Sequence, residues 1–134
     1  MRIWRSLAVL VLLLGVAAAA SAHHAAAGID RTKTVELKGT IKAFSWQNPH
    51  SWMEVEVLTE GKIVVWTVEM TAPSYLVRAG WKASTVKPGD EVKVTVRPLK
   101  NGDPGGLFVS VTLADGRTLT ERPIAAAPAA PPAQ

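Results

Sequence analysis

The chain changes character at Thr34. Val35, Leu37, Gly39, Ile41 and Ala43 fall on one side of an alternating run, and Glu36, Lys38, Thr40 and Lys42 on the other. Alternation with period two is the signature of a half-buried strand. Gly39 inside the run points to a bulge or a sharp bend. At Ala43–Phe44 the phase slips, and Phe44 and Trp46 carry the bulk. A long first strand that bends in this way suits a small barrel.

Gln47-Asn48-Pro49-His50 reads as a turn, because Pro fixes its own φ and Asn tolerates unusual backbone angles. Two alternating runs follow, Trp52 to Leu58 and Lys62 to Met70, joined at Glu60-Gly61. A hairpin centred there sets Met53 opposite Val68, Val55 opposite Trp66 and Val57 opposite Val64 on one face. The other face carries Trp52 opposite Glu69, Glu54 opposite Thr67 and Glu56 opposite Val65. A slip of one residue would mix the two sets, so the separation itself argues for this register.

Pro73 in a first turn and Gly80 just past a last one predict a short helix near Ser74 to Ala79. Lys87-Pro88-Gly89-Asp90 turns the chain into a fourth strand, with Val92, Val94 and Val96 facing in. A loop over Asn101 to Gly106 precedes a fifth, whose inward set reads Leu107, Val109, Val111 and Leu113. Asp115-Gly116 then leads to a short return strand, Arg117 to Thr120. The order predicts an all-β domain: a small five-stranded antiparallel OB-like barrel with one short helix between strands 3 and 4. A six-stranded open roll or an SH3-like barrel is the alternative arrangement. The expected core includes Trp66.

The two ends read differently. Arg2 and Arg5, the apolar run from Leu7 to Val16 and the small residues closing at Ala20-Ser21-Ala22 have the three parts of an export signal. Residues 1–22 are therefore expected to be a cleaved signal peptide, with a competing cleavage motif at Ala25 and Ala27. Residues 23–33 are expected to form a flexible segment, 34–120 the barrel, and 121–134 a disordered Ala/Pro-rich tail. The expected location is periplasmic or secreted, with no stable membrane insertion after cleavage.

Composition changes this picture in two ways. The 134 residues contain no cysteine, which excludes disulfides, thiolate metal sites and cysteine nucleophiles. The net charge of +4 falls to +2 once Arg2 and Arg5 are removed, so charge gives no support to a nucleic-acid partner. No phosphate loop, Ser-His-Asp order or cofactor fingerprint is present. The chain reads as a binding module rather than an enzyme.

The candidate chemistry lies in three histidines, His23, His24 and His50. Cleavage after Ala22 would leave His23 with a free α-amine beside its imidazole, a pair able to chelate one ion. His24 and His50 would add further nitrogens. Such sulfur-free, nitrogen-rich ligation suits Cu(II) first, then Ni(II) or Zn(II). The register makes Glu69 a diagonal neighbour of His50, where a carboxylate can orient an imidazole. The bland alternative is a His pair that merely adjoins a signal site and a His50 that only braces its turn. Trp46 and Trp52 flank the same turn, and Trp52 points outward. With Glu69 they offer a face for a glycan, a peptide or an envelope component. A structural or partner-binding domain without a small ligand is the remaining class.

Several short motifs recur here in combination: His23-His24, Leu37-Lys38-Gly39-Thr40, Trp46 with Asn48-Pro49-His50, and Trp66-Thr67-Val68-Glu69. Gly80-Trp81, Lys87-Pro88-Gly89-Asp90-Glu91-Val92 and Leu113-Ala114-Asp115-Gly116-Arg117 complete the set. In this combination the chain, from about His23 to Thr120, resembles a family of small exported bacterial proteins catalogued as a domain of unknown function. The resemblance implies an exported domain with no assigned activity, and it supplies no catalytic residue.

Overall fold

The computed structural model describes residues 28–122. Residues 1–27, with the expected signal peptide, His23 and His24, and residues 123–134 lie outside them. Six strands are formed: β1 (Val35–Ser45), β2 (Trp52–Thr59), β3 (Lys62–Glu69), β4 (Glu91–Pro98), β5 (Gly105–Leu113) and β6 (Thr118–Thr120). One helix, α1 (Pro73–Arg78), lies between β3 and β4. The sheet runs β3-β2-β1-β4-β5-β6, and a further β3–β5 pairing closes the first five strands into a barrel.

The closing pair is parallel, Thr67 to Glu69 against Gly105 to Leu107, so the barrel is mixed rather than wholly antiparallel. This corrects the sequence expectation. Both strands run the same way because α1 and β4 intervene and return the chain to the starting end. Every predicted β2–β3 pair is present, from Trp52 opposite Glu69 to Val57 opposite Val64.

Two bulges decide which side chains face inward. In β1 the register against β2 shifts between Ile41 and Ala43, leaving Lys42 as the extra residue. Ile41 is buried before the bulge, and Phe44 and Trp46 pack on the core after it. Gly39 serves a close approach, because a Cβ there would strike the Glu56 carbonyl. In β5 the shift falls opposite Thr95/Val96, and Val109 is the extra residue. Phe108 and Val111 are therefore the buried residues, while Leu107 and Val109 are only half-buried. The expected inward set of Leu107, Val109, Val111 and Leu113 is corrected accordingly, since one inserted residue inverts the faces on one side of it.

The core is filled by Leu37, Ile41, Met53, Val55, Val68, Val94, Val96 and Val111, and capped by Leu76 of α1 and by Trp81. Trp81 is 1% exposed, and its indole N–H donates to the Thr120 carbonyl at 2.8 Å. Phe108 meets it edge to face, with ring centroids 5.5 Å apart. Trp66 differs from expectation: it is half-buried and packs on the rim of the core. Its half of β3 extends past the start of β5, so no strand covers its outer side. Val57 and Val64 share that position and are half-buried too.

Residues on either side of 34–120 also make defined contacts with the barrel. Ile29 is buried and pairs with Leu99, while Asp30 N–H donates to Pro98 and Lys100 N–H to Gly28, each at 2.8 Å. At the other end Glu121 accepts a hydrogen bond from Thr71 N–H at 2.6 Å. Gly28 to Asp30 are thus tied to the chain at and just after the end of β4, and Glu121 to the chain just after β3.

Candidate functional site

The β2–β3 ladder ends in an irregular step. Ser51 N–H donates to the Thr71 carbonyl at 3.2 Å, while Met70 N–H donates to the Ser51 carbonyl at 2.9 Å. One residue of the β2 side therefore faces two of the β3 side. Ser51 is fully buried, and its hydroxyl has no partner among the described residues. His50, just before this step, is carried over the end of β3. Its Nδ1 lies 2.6 Å from Glu69 Oε1, with the His50 side chain about half exposed. A contact this short is a charge-assisted or strongly polarised hydrogen bond. It fixes the ring and leaves Nε2 as the remaining nitrogen, the arrangement in which a carboxylate orients an imidazole for a further ligand.

Glu121 enters the same place from the end of β6. His50, Glu69 and Glu121 share one open cavity of about 270 Å³, whose walls include Thr71, Arg97 and Phe108. Burial is the main influence on Glu121 and raises its carboxyl above the ordinary glutamate range. The Thr71 N–H and the charges of Arg122 and His50 act the other way, and Glu69 adds to the rise. The cavity thus gathers one imidazole and two carboxylates, with the Arg97 guanidinium in its wall. Among the described residues, however, no three His, Asp or Glu side chains converge closely enough to enclose a metal ion.

A second cleft of about 340 Å³ lies on the other side of Glu69, walled by Trp52, Ile29, Leu99 and Pro104. Glu69 thus borders both spaces, with its polar partner on one side and an apolar wall on the other.

The fold brings His50, Glu69 and Trp52 together as the register implied. It does not bring Trp46 with them. The Lys42 bulge turns Trp46 towards the core side, where it packs against Phe44 with centroids 5.8 Å apart. The proposed aromatic face is therefore corrected to Trp52 alone. His23 and His24 lie outside the described residues, but the chain leading from them is pinned at Ile29, in the wall of the Trp52 cleft. Glu121 and Arg97 are the neighbours that sequence reasoning missed. Arg97 sits on an ordinary outward strand position, and Glu121 borders a stretch whose Ala and Pro content masks its role.

No curated protein and no solved structure matches the chain. Residues 10–109 match the profile of a family of unknown function, DUF6152. That span covers most of the sequence and every strand up to the middle of β5, and the chain belongs to this family.

Proposed function

We propose that this chain is an exported metal-binding domain. In this reading a divalent transition ion, Cu(II) before Ni(II) or Zn(II), is held between His50 Nε2 and the amino-terminal His23 and His24. The observation that carries it is the His50–Glu69 contact of 2.6 Å on a half-exposed ring. Glu69 occupies Nδ1, so the nitrogen left to bind is defined. The anchoring of Ile29 beside Glu69 supplies the second half of the argument. Only four residues lie between His24 and Ile29, and the five steps reach at most about 18 Å at 3.3–3.6 Å per residue. That tether is short enough for the two terminal imidazoles to work with His50. Removal of the leader after Ala22 would add the His23 α-amine, whose ordinary pKa near 8 permits coordination at neutral pH.

Competitive Cu(II) titration tests the reading on three forms: the processed protein, a form lacking His23 and His24, and His50→Ala. Affinity should fall sharply without the two terminal histidines and by a smaller factor in His50→Ala.

A second reading rests on the Trp52 cleft. A half-buried indole beside a carboxylate, walled by Ile29, Leu99 and Pro104, suits the apolar face and hydroxyls of a sugar ring or an envelope component. The two readings share Glu69 but not Trp52, so Trp52→Ala separates them.

A further inference from the structure

The hairpin between β2 and β3 projects beyond the barrel. β5 pairs with β3 only at Thr67 to Glu69, and β1 pairs with β2 only as far as Glu56. The turn at Glu60-Gly61 has φ of 49° and 77°, the two positive values of a type I′ hairpin. Such a turn is closed by a hydrogen-bonded pair, here Thr59 with Lys62, and bonded and unbonded pairs then alternate along the ribbon. Val57 with Val64 and Val55 with Trp66 are therefore bonded to each other. Leu58 with Ile63, Glu56 with Val65 and Glu54 with Thr67 turn their amides and carbonyls away. Thr67 confirms the parity, because its N–H reaches the Pro104 carbonyl across the closure at 3.1 Å. The same groups on Ile63 and Val65 have no partner among the described residues.

Beyond Lys62 at its turn end, this edge lacks the usual protection. Segment Lys62 to Trp66 contains no proline, no bulge and no inward charge, devices that keep strand edges from pairing. From Ile63 to Trp66 its side chains are apolar on both faces, and Ile63 and its cross-strand partner Leu58 are 67% and 73% exposed.

We propose that this edge is a self-association surface on which β3 of one copy pairs antiparallel with β3 of a second, centred on Val64. In that register Ile63 of each copy exchanges both backbone hydrogen bonds with Val65 of the other. The two Val64 side chains meet on the axis. Lys62 falls beside Trp66 of the second copy, where an ammonium suits an indole face, and no like charges oppose each other. The arrangement is isologous and closes at two copies. The chain's own carboxyl-terminal stretch is a poorer occupant. It departs from Arg122, at the opposite end of β3 beside Thr71, and Pro123, Pro128, Pro131 and Pro132 deprive it of donors. Two short strands form a contact at the small end of known interfaces, so the association is weak and transient.

Sedimentation velocity on the full chain, with a chelator present to exclude metal bridging, should show a dimer that grows from micromolar to millimolar concentration. Ile63→Lys and Val65→Pro should each abolish it while leaving the monomer folded, since the Ile63 side chain is already largely exposed and the Val65 N–H is turned away from β2. The cysteine-free chain permits a sharper test. In the proposed register the Val64 pair is non-bonded, with Cα atoms about 4.5 Å apart, within disulfide range. With oxidised glutathione, Val64→Cys should cross-link to itself and Leu58→Cys should not. A single monomeric species at every concentration, or a dimer indifferent to both edge substitutions, would overturn the proposal. So would a monomer whose Ile63 and Val65 amides are protected until residues 123–134 are removed, because the edge would then belong to the tail.

Discussion

At the Trp52–Glu69 end, the β2–β3 ribbon is flanked by β5, roofed inside by Trp81 and Phe108, and fringed outside by His50, Glu121 and Trp52. At the Leu58–Ile63 end the same ribbon has no neighbouring strand among the described residues, and its apolar side chains stand largely in water. The inward positions are apolar in both halves, from Met53 and Val68 at one end to Val57 and Val64 at the other. Burial therefore follows from where β1 and β5 stop, not from the pattern in the ribbon. The closed end can hold polar groups in a fixed, partly desolvated setting, which chemistry requires. The open end offers backbone groups and apolar area, which association requires.

The largest effect that would break this contrast concerns the two tryptophans. Trp81→Ala removes a fully buried ring and an indole hydrogen bond, and should cost about 3–5 kcal/mol in urea unfolding. Trp66→Ala removes a half-buried ring from the open end and should cost only about 1–2 kcal/mol, since less area returns to water. Equal losses would mean that the two ends are not differently packed.

The next effect sharpens the polar side of the closed end. Burial raises the Glu121 carboxyl, so its protonated form is favoured by folding. That contribution is fully present below the ordinary glutamate value and is lost as pH rises through the higher folded value. Glu121→Gln keeps an acceptor for Thr71 N–H but carries no charge. Its melting temperature relative to the parent should therefore rise as pH climbs from about 4 towards neutrality, across the ordinary and raised carboxyl range. A constant difference would show that Glu121 is not desolvated.

The register of β2 and β3, the helix and the strand order were legible because they rest on local signals: alternation, a Gly turn, and Pro before Gly around a short helix. What was not legible was long-range or depended on a single inserted residue. The parallel closure between Thr67–Glu69 and Gly105–Leu107 leaves no mark in either segment's period. The bulge at Val109 inverts the faces of β5, and alternating apolar residues on both sides concealed it. Parity places Trp66 on the inward face, but parity does not fix whether anything covers it. At the site, His50 and Glu69 were found by register, whereas Glu121 reaches them from a segment 50 residues beyond its partner Thr71. Ile29 escaped notice because one buried residue makes no period.

The smallest expected stability change is at Trp52, whose ring borders the outer cleft. Trp52→Ala should alter the unfolding free energy by less than about 1 kcal/mol, below the usual cost of a buried aromatic. If a sugar or envelope component is the ligand, binding should nevertheless disappear. A large stability loss would show that the ring is structural and remove that reading's main residue.

The central claim is that His50, oriented by Glu69, binds a metal ion together with His23 and His24. Cu(II) titration with a competing chelator, on the processed chain and on the form lacking His23 and His24, tests it most directly. The account predicts a sharp loss of affinity in the shortened form, a further loss when His50→Ala is added to it, and binding that weakens as pH falls because the amine and imidazoles must release protons. Equal Cu(II) affinity in the processed chain and the form without His23 and His24 would contradict it.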